Sequence, residues 1–103
     1  MLEEFDASTF SEKFESDNDG VLIDVRTPME FNRGHIPNSL LIDISNPAFP
    51  DEINKLDRYK NYYIYCRSGN RSYHAGKFML SKGFKHVCHL APGIIGWNGP
   101  IES

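Results

Sequence analysis

The sequence has few cysteines, little net charge and no long apolar run. Each shortage closes off a class of function. Two cysteines, Cys66 and Cys88, in 103 residues do not make a disulfide framework. A formal net charge of −3 implies no general affinity for nucleic acid or for an anionic membrane. Mean hydropathy is −0.46, and no apolar stretch approaches the ~20 residues that a bilayer-spanning helix needs. The first six residues, Met1 to Asp6, are acidic and lack a basic flank with an apolar core, so they do not read as a secretory signal. A full-length cytoplasmic protein is the expectation. There is no internal repeat and no low-complexity linker, which leaves one domain over residues 1–103 with one modest core. His74, His86 and His89 show no metal-ligand spacing with the cysteines, so no metal is expected.

What is present is an alternation of short apolar runs with segments of helical spacing. Residues 8–16 read as an amphipathic helix. Thr9 and Glu12 stand at capping-box spacing, and Phe10 and Phe14 share a face. Asp17 to Gly20 is a turn, and Val21 to Val25 a buried strand. Thr27, Pro28 and Glu30 make a helix start, with Thr27 as cap, Pro28 in the first position and Glu30 reaching back. A second apolar run spans Leu40 to Ile42. A short helix is expected around Glu52 to Leu56, after the break at Phe49 and Pro50. Tyr62 to Tyr65 is a strand. Ser72 to Lys82 is a helix that stops at Gly83, with Phe84 packing back. Gly76 inside that helix implies close packing on a strand. His86 to Leu90 is a further strand, Pro92 and Gly93 a turn, and Ile94 to Trp97 a closing apolar turn. Strand and helix in alternation predict an α/β fold, a parallel-type sheet covered on both faces.

The chemistry concentrates in Cys66, Arg67, Ser68, Gly69, Asn70, Arg71 and Ser72. A thiol stands where a buried strand turns into a helix, and strand ends are where sites collect in open α/β sheets. The helix N-terminus offers unpaired N–H groups and positive potential. Arg67 and Arg71 add two permanent cations. Gly69 frees the backbone to wrap N–H groups round one atom as an anion nest. Together these describe a nucleophilic thiolate in an anion cradle. Cys88 lacks such neighbours and reads as core. Asp24 and Arg26, at a strand end, read as a structural pair. His35, in Gly34 to Pro37, reads as a hydrogen-bonded loop anchor rather than a partner for Cys66. Tyr59, Tyr62, Tyr63 and Tyr73 suit a core or an interface, and the oligomeric state stays open.

Four stretches, in order, resemble the rhodanese family of sulfurtransferases. Cys66 to Ser72 looks like its active-site loop and Leu22 to Phe31 like its first signature. Gly34 to Ser39 looks like the turn that follows, and Leu90 to Trp97 like its C-terminal signature. Together they cover roughly residues 20 to 98. One departure stands out: Pro92 occupies a position where the family commonly has Gly, which predicts a stiffer or altered contact with the Cys66 loop. The resemblance implies a rhodanese-like fold, a mostly parallel sheet of about five strands with helices on both faces.

The resemblance also implies sulfur transfer. A Cys66 thiolate would take the outer sulfur of an anionic donor such as thiosulfate and hold it as a persulfide. It would pass it to cyanide, a thiol or a protein acceptor, with no organic cofactor. Arg67 and Arg71 would orient the donor, and the amides of Arg67, Ser68, Gly69, Asn70 and Arg71 would stabilise the sulfur. For Arg71, bracing the loop is an equal alternative. Two rivals remain: a cysteine phosphatase or arsenate reductase on the same scaffold, and a non-enzymatic binding or sensor module. The phosphatase-type loop has five residues between Cys and Arg; here residues 67–70 make four, a tighter cradle.

Overall fold

The computed structural model describes residues 1–103. Its elements run β1 (Glu3–Phe5), α1 (Ala7–Glu15), β2 (Gly20–Asp24), α2 (Pro28–Arg33), β3 (Leu40–Leu41), α3 (Phe49–Asn54), β4 (Asn61–Tyr65), α4 (Asn70–Ser81) and β5 (His86–Leu90), with a 3-10 turn at Ile94–Gly96. The five strands form one all-parallel sheet in the order β1-β5-β4-β2-β3. Chain order reverses between β4 and β2, which makes the carboxyl end of β4 the switch point of the sheet. No helix is long and apolar enough to cross a membrane.

Period-two alternation sorts the core into two halves. Ile23, Val25, Tyr62, Ile64, Cys66 and Val87 face one side, under Phe49 and Ile53 of α3 and Ala75 and Met79 of α4. Leu22, Tyr63, Tyr65, Cys88 and Leu90 face the other, under Phe10 of α1. Helices therefore cover both faces, as the pattern implied. Cys66 and Cys88 lie on opposite sides of the sheet.

Several local features differ from the sequence expectation. Strand β1 carries no apolar alternation and was not anticipated; it exists through parallel backbone pairing with β5, Glu4 opposite His89. Helix α1 is capped by Asp6, whose Oδ1 accepts the Thr9 N–H at 2.8 Å, instead of by Thr9. Helix α3 begins at Phe49, earlier than expected. Pro50 falls in its first turn, where its missing N–H has no intrahelical partner to lose. Gly76 is needed for closeness to Leu2, just ahead of β1, rather than to the strand expected: an added Cβ would stand 2.6 Å from Leu2 Cδ1. The end of α4 is as expected. Gly83 takes φ +90°, its N–H reaches Leu80 C=O and the Phe84 N–H reaches Met79 C=O. The oligomer question narrows only in that Tyr62 and Tyr63 are core while Tyr59 and Tyr73 are exposed.

One buried hydroxyl ties the loop after α2 to the sheet. Tyr65 Oη accepts the Ile36 N–H at 3.1 Å and lies 3.0 Å from Ser39 Oγ, which donates to Ile36 C=O at 2.7 Å. Tyr65→Phe removes the acceptor and strands the buried amide. We expect a loss of about 1–3 kcal/mol of stability, measured by urea denaturation; an unchanged midpoint would show that Ile36 N–H finds another partner at no cost.

Candidate active site

The site is assembled from the ends of β2 and β4, the N-terminus of α4 and the C-terminal 3-10 turn. Cys66 follows β4 directly and is 1% exposed. The chain then turns through Arg67 and Ser68 to Gly69, which caps α4 at φ +99°. That left-handed conformation aims the Gly69 N–H back at Cys66 Sγ, 3.1 Å away. The Ser72 N–H, in the first turn of α4, points at the same sulfur at 3.3 Å, and Ser72 Oγ lies 3.5 Å from it. Burial on its own would push the Cys66 thiol up. The Ser72 hydroxyl and the Ser72, Gly69 and Ser68 N–H groups outweigh it, so the thiol sits below its ordinary range. These groups take the place of water around the sulfur.

Glycine is required at two points for contact as well as conformation. A Cβ on Gly69 would stand 2.1 Å from Ala91 C=O oxygen, and one on Gly93, at φ +73°, 2.1 Å from Arg67 C=O oxygen. The segment after β5 is thus laid against the Cys66 loop. Backbone bonds hold it there: Ile94 N–H to Cys66 C=O at 2.9 Å and Ile95 N–H to Arg67 C=O at 3.2 Å. Pro92 is exposed in the turn closed by Gly93 N–H to Leu90 C=O. Its missing N–H removes none of these bonds.

The residues singled out from sequence take different places. Gly69 turns its amide to the sulfur, and the Ser68 amide also favours its ionisation. Arg67 and Asn70 are exposed at the rim. Arg71 turns away to α2, where its guanidinium grips Glu30 through two bonds of 2.7 and 2.9 Å. It braces the loop. Glu30 also completes the capping box with Thr27, so one carboxylate holds the start of α2 and the active loop together. Asp24 and Arg26 form a buried pair at 2.7 Å, and Arg26 Nη2 also donates to Gly34 C=O at 2.7 Å. His35 anchors its loop: it stacks on Phe31 with ring centroids 3.7 Å apart, and Nδ1 meets Phe31 C=O at 2.9 Å. Burial pushes the Cys88 thiol up to about 12, as befits a core thiol on the far face.

Two features escaped the sequence reading. The sequence names Ser72 within the loop without giving it the sulfur as partner; its place one residue after Arg71, in the first turn of α4, is the available signal. From sequence, His89 has a place in a strand and no metal-ligand spacing, whereas in the structure it is 2% exposed and its Nδ1 meets Ser72 Oγ at 2.8 Å. Beside the loop a cavity of about 350 Å³ is lined by Arg26, Glu30, Arg33, Arg67, Ile94 and Ile95, among others. It gives the exposed Arg67 a concave, cationic setting.

Comparison with known proteins matches residues 6–100 to the rhodanese-like domain. A sulfurtransferase of Allochromatium vinosum is 34% identical over 97 residues, covering 94% of this chain and 89% of that protein. The putative sulfurtransferase YtwF of Bacillus subtilis is 35% identical over 101 residues, covering 98% and 95%. The crystal structure of a rhodanese-related protein from Thermoplasma volcanium is similar with a TM-score of 0.83 at 30% identity, covering 98% of each chain.

The Arg71 clasp makes a pH-dependent contribution. Glu30 sits at about 2, first because the Arg71 guanidinium hydrogen-bonds it; an unfolded Glu titrates near ~4.3. A depressed folded value stabilises fully above about pH 4.3 and fades as pH falls towards 2. Glu30→Gln is expected to be less stable than wild type at about pH 7 by roughly 1–2 kcal/mol, screening of a part-exposed pair included. Urea midpoints followed down to about pH 2 should converge; a gap that stays constant with pH would assign the loss to something other than the ion pair.

Proposed function

The chain belongs to the rhodanese-like sulfurtransferase family, and on that premise we propose that it moves a sulfane sulfur from thiosulfate to a thiophilic acceptor through a persulfide on Cys66. The observation that carries this reading is the solvated sulfur. A buried thiol meets two backbone N–H groups and a hydroxyl at a helix N-terminus, and its ionisation is favoured there.

The step runs as follows. The Cys66 thiolate attacks the outer sulfur of thiosulfate. A bond forms between the two sulfurs, the bond to the sulfonate sulfur breaks, and sulfite leaves with that electron pair. The persulfide anion needs the same amides that held the thiolate, so the cradle serves both halves of the cycle. A second nucleophile (cyanide, a small thiol or a protein thiol) then attacks the terminal sulfur and returns Cys66 to thiolate. Two half-reactions sharing one site give ping-pong kinetics.

Arg67 is the group for donor recognition, because it is exposed at the mouth while Arg71 is held by Glu30. Ser68, Gly69 and Asn70 shape the cradle, and Arg71 enters recognition through the loop it braces. No organic cofactor takes part. The place of work is the cytoplasm, where acceptor thiols stay reduced.

Intact mass after incubation with thiosulfate tests the reading. Wild type gains one sulfur, reversed by cyanide or dithiothreitol, and Cys66→Ser gains none. No gain in a folded protein whose Cys66 still alkylates would overturn thiosulfate as donor and favour an oxyanion substrate or a binding role. Arg67→Ala is expected to raise the KM for thiosulfate roughly tenfold, the equivalent of ~1.4 kcal/mol of lost recognition, with little change in the rate at saturation. Steady-state kinetics with varied thiosulfate decide it; an unchanged KM removes Arg67 from donor binding.

A further inference from the structure

Behind Cys66 the Ser72 hydroxyl, which the sulfur-transfer scheme uses only as a contact to the sulfur, continues into a chain of polar groups that the scheme does not use. Cys66 Sγ is 3.5 Å from Ser72 Oγ, Ser72 Oγ is 2.8 Å from His89 Nδ1, and His89 Nε2 is 3.1 Å from Glu4 Oε1. Ser72 is fully buried and His89 2% exposed, whereas the Glu4 side chain is 54% exposed. The chain therefore runs from a sulfur closed to water out to a carboxylate at the surface. Its members come from four elements: the end of β4, α4, β5 and β1. The register of the sheet builds it, since Glu4 stands opposite His89 in the β1–β5 pair.

The directions of these hydrogen bonds are strongly constrained. An ionised Glu4 only accepts, so His89 Nε2 carries a hydrogen. In the neutral ring Nδ1 is then an acceptor. The Ser72 hydroxyl donates to it, at a shorter distance than its 3.3 Å to Gly69 C=O, and Ser72 Oγ is left to accept from the thiol. Reversing the middle of the chain gives a second complete setting: Nδ1–H donates to Ser72 Oγ, and the Ser72 hydroxyl donates to a thiolate. Every donor has an acceptor in both settings. They differ by one proton moved from sulfur to imidazole.

We propose that His89, held in one tautomer by Glu4, accepts and returns the Cys66 proton through the Ser72 hydroxyl. The S–H bond breaks as its proton passes to Ser72 Oγ. The proton of Ser72 passes to Nδ1, and no electrons change hands. The product is a thiolate–imidazolium pair, with the Glu4 carboxylate on the far nitrogen. His89 is a positioning residue: it never touches the transferred sulfur and acts through Ser72. The groups that face it are Ser72 and the Tyr73 ring on α4, with centroids 6.1 Å apart for the rings, Glu4 on β1, and Cys66 one hydroxyl away. The Ser72 hydroxyl is also the strongest of the groups that favour the thiolate.

The proposal rests on Cys66 working as a thiolate, but its test needs no sulfur donor, so its failure and that of sulfur transfer are distinguishable. The rate of Cys66 alkylation by iodoacetamide is followed from about pH 5 to 10 in wild type and His89→Asn, the adduct located by peptide mass. Asn keeps a hydrogen-bonding group near Nδ1 but cannot take the proton. The midpoint of the profile should rise by about one unit, so the rate at about pH 6 falls roughly tenfold, while the alkaline plateau is unchanged. Glu4→Gln should shift it in the same direction by less. A purely structural role would lower the plateau without moving the midpoint. The second readout uses wild type alone, in case the variant does not fold. The 15N NMR signals of His89 at neutral pH should change from an imidazolium pattern to a neutral ring protonated at Nε2 once Cys66 is alkylated. Superimposable alkylation profiles, or imidazole signals indifferent to alkylation, would overturn the proposal.

Discussion

A sulfur that is to ionise where water cannot reach it must be solvated by the protein, and the rest of this structure follows from that requirement. Cys66 is 1% exposed, and burial opposes its ionisation. The compensation comes first from the Ser72 hydroxyl and then from backbone amides, which cannot be misplaced by a rotamer change and cost no side-chain entropy to orient. They converge only if the chain leaves β4, turns through a left-handed residue at Gly69 and enters α4 without delay. The sheet contributes the fixed strand end, and the helix contributes its unpaired N–H groups.

Such a loop does not hold its shape unaided. It is clamped from two directions by groups that make no contact with the sulfur. On one side Glu30 takes Arg71 in a two-point grip while capping α2. On the other, the segment after β5 lays Gly93 against Arg67 and donates two backbone hydrogen bonds to the loop. Beneath both, the buried Asp24–Arg26 pair ties the end of β2 to Gly34. Glu30, Arg71, Asp24 and Arg26 are thus used as fixings, while Arg33 and Arg67 are left exposed along the neighbouring cavity.

Much of this was legible in the residues. The β4–loop–α4 junction, the Thr27 capping box, the Gly83 stop and the anchoring part of His35 each follow from local chemistry, and the structure has them. What was not legible depends on partners far away in the chain. Glu3, Glu4 and Phe5 read as an acidic terminus because their strand is made by backbone pairing with β5 alone. Pro50 read as a break because a proline in a first helical turn differs from a breaker only by where the helix begins. The pairing of Arg71 with Glu30 joins residues 41 positions apart, which no local spacing announces. The link between Ser72 and His89 depends on how α4 lies over β5, which no spacing encodes.

The separation of the two thiols has a kinetic meaning. Cys66 and Cys88 belong to opposite halves of the core with the sheet between them. Cys88 is also held protonated by burial. On the proposed transfer, a sulfur loaded on Cys66 would meet no second thiol within the molecule that could close a disulfide and expel it. The lifetime of such a loaded form would then be governed by encounter with an outside acceptor. The supply of acceptor, rather than an internal clock, would set when it empties.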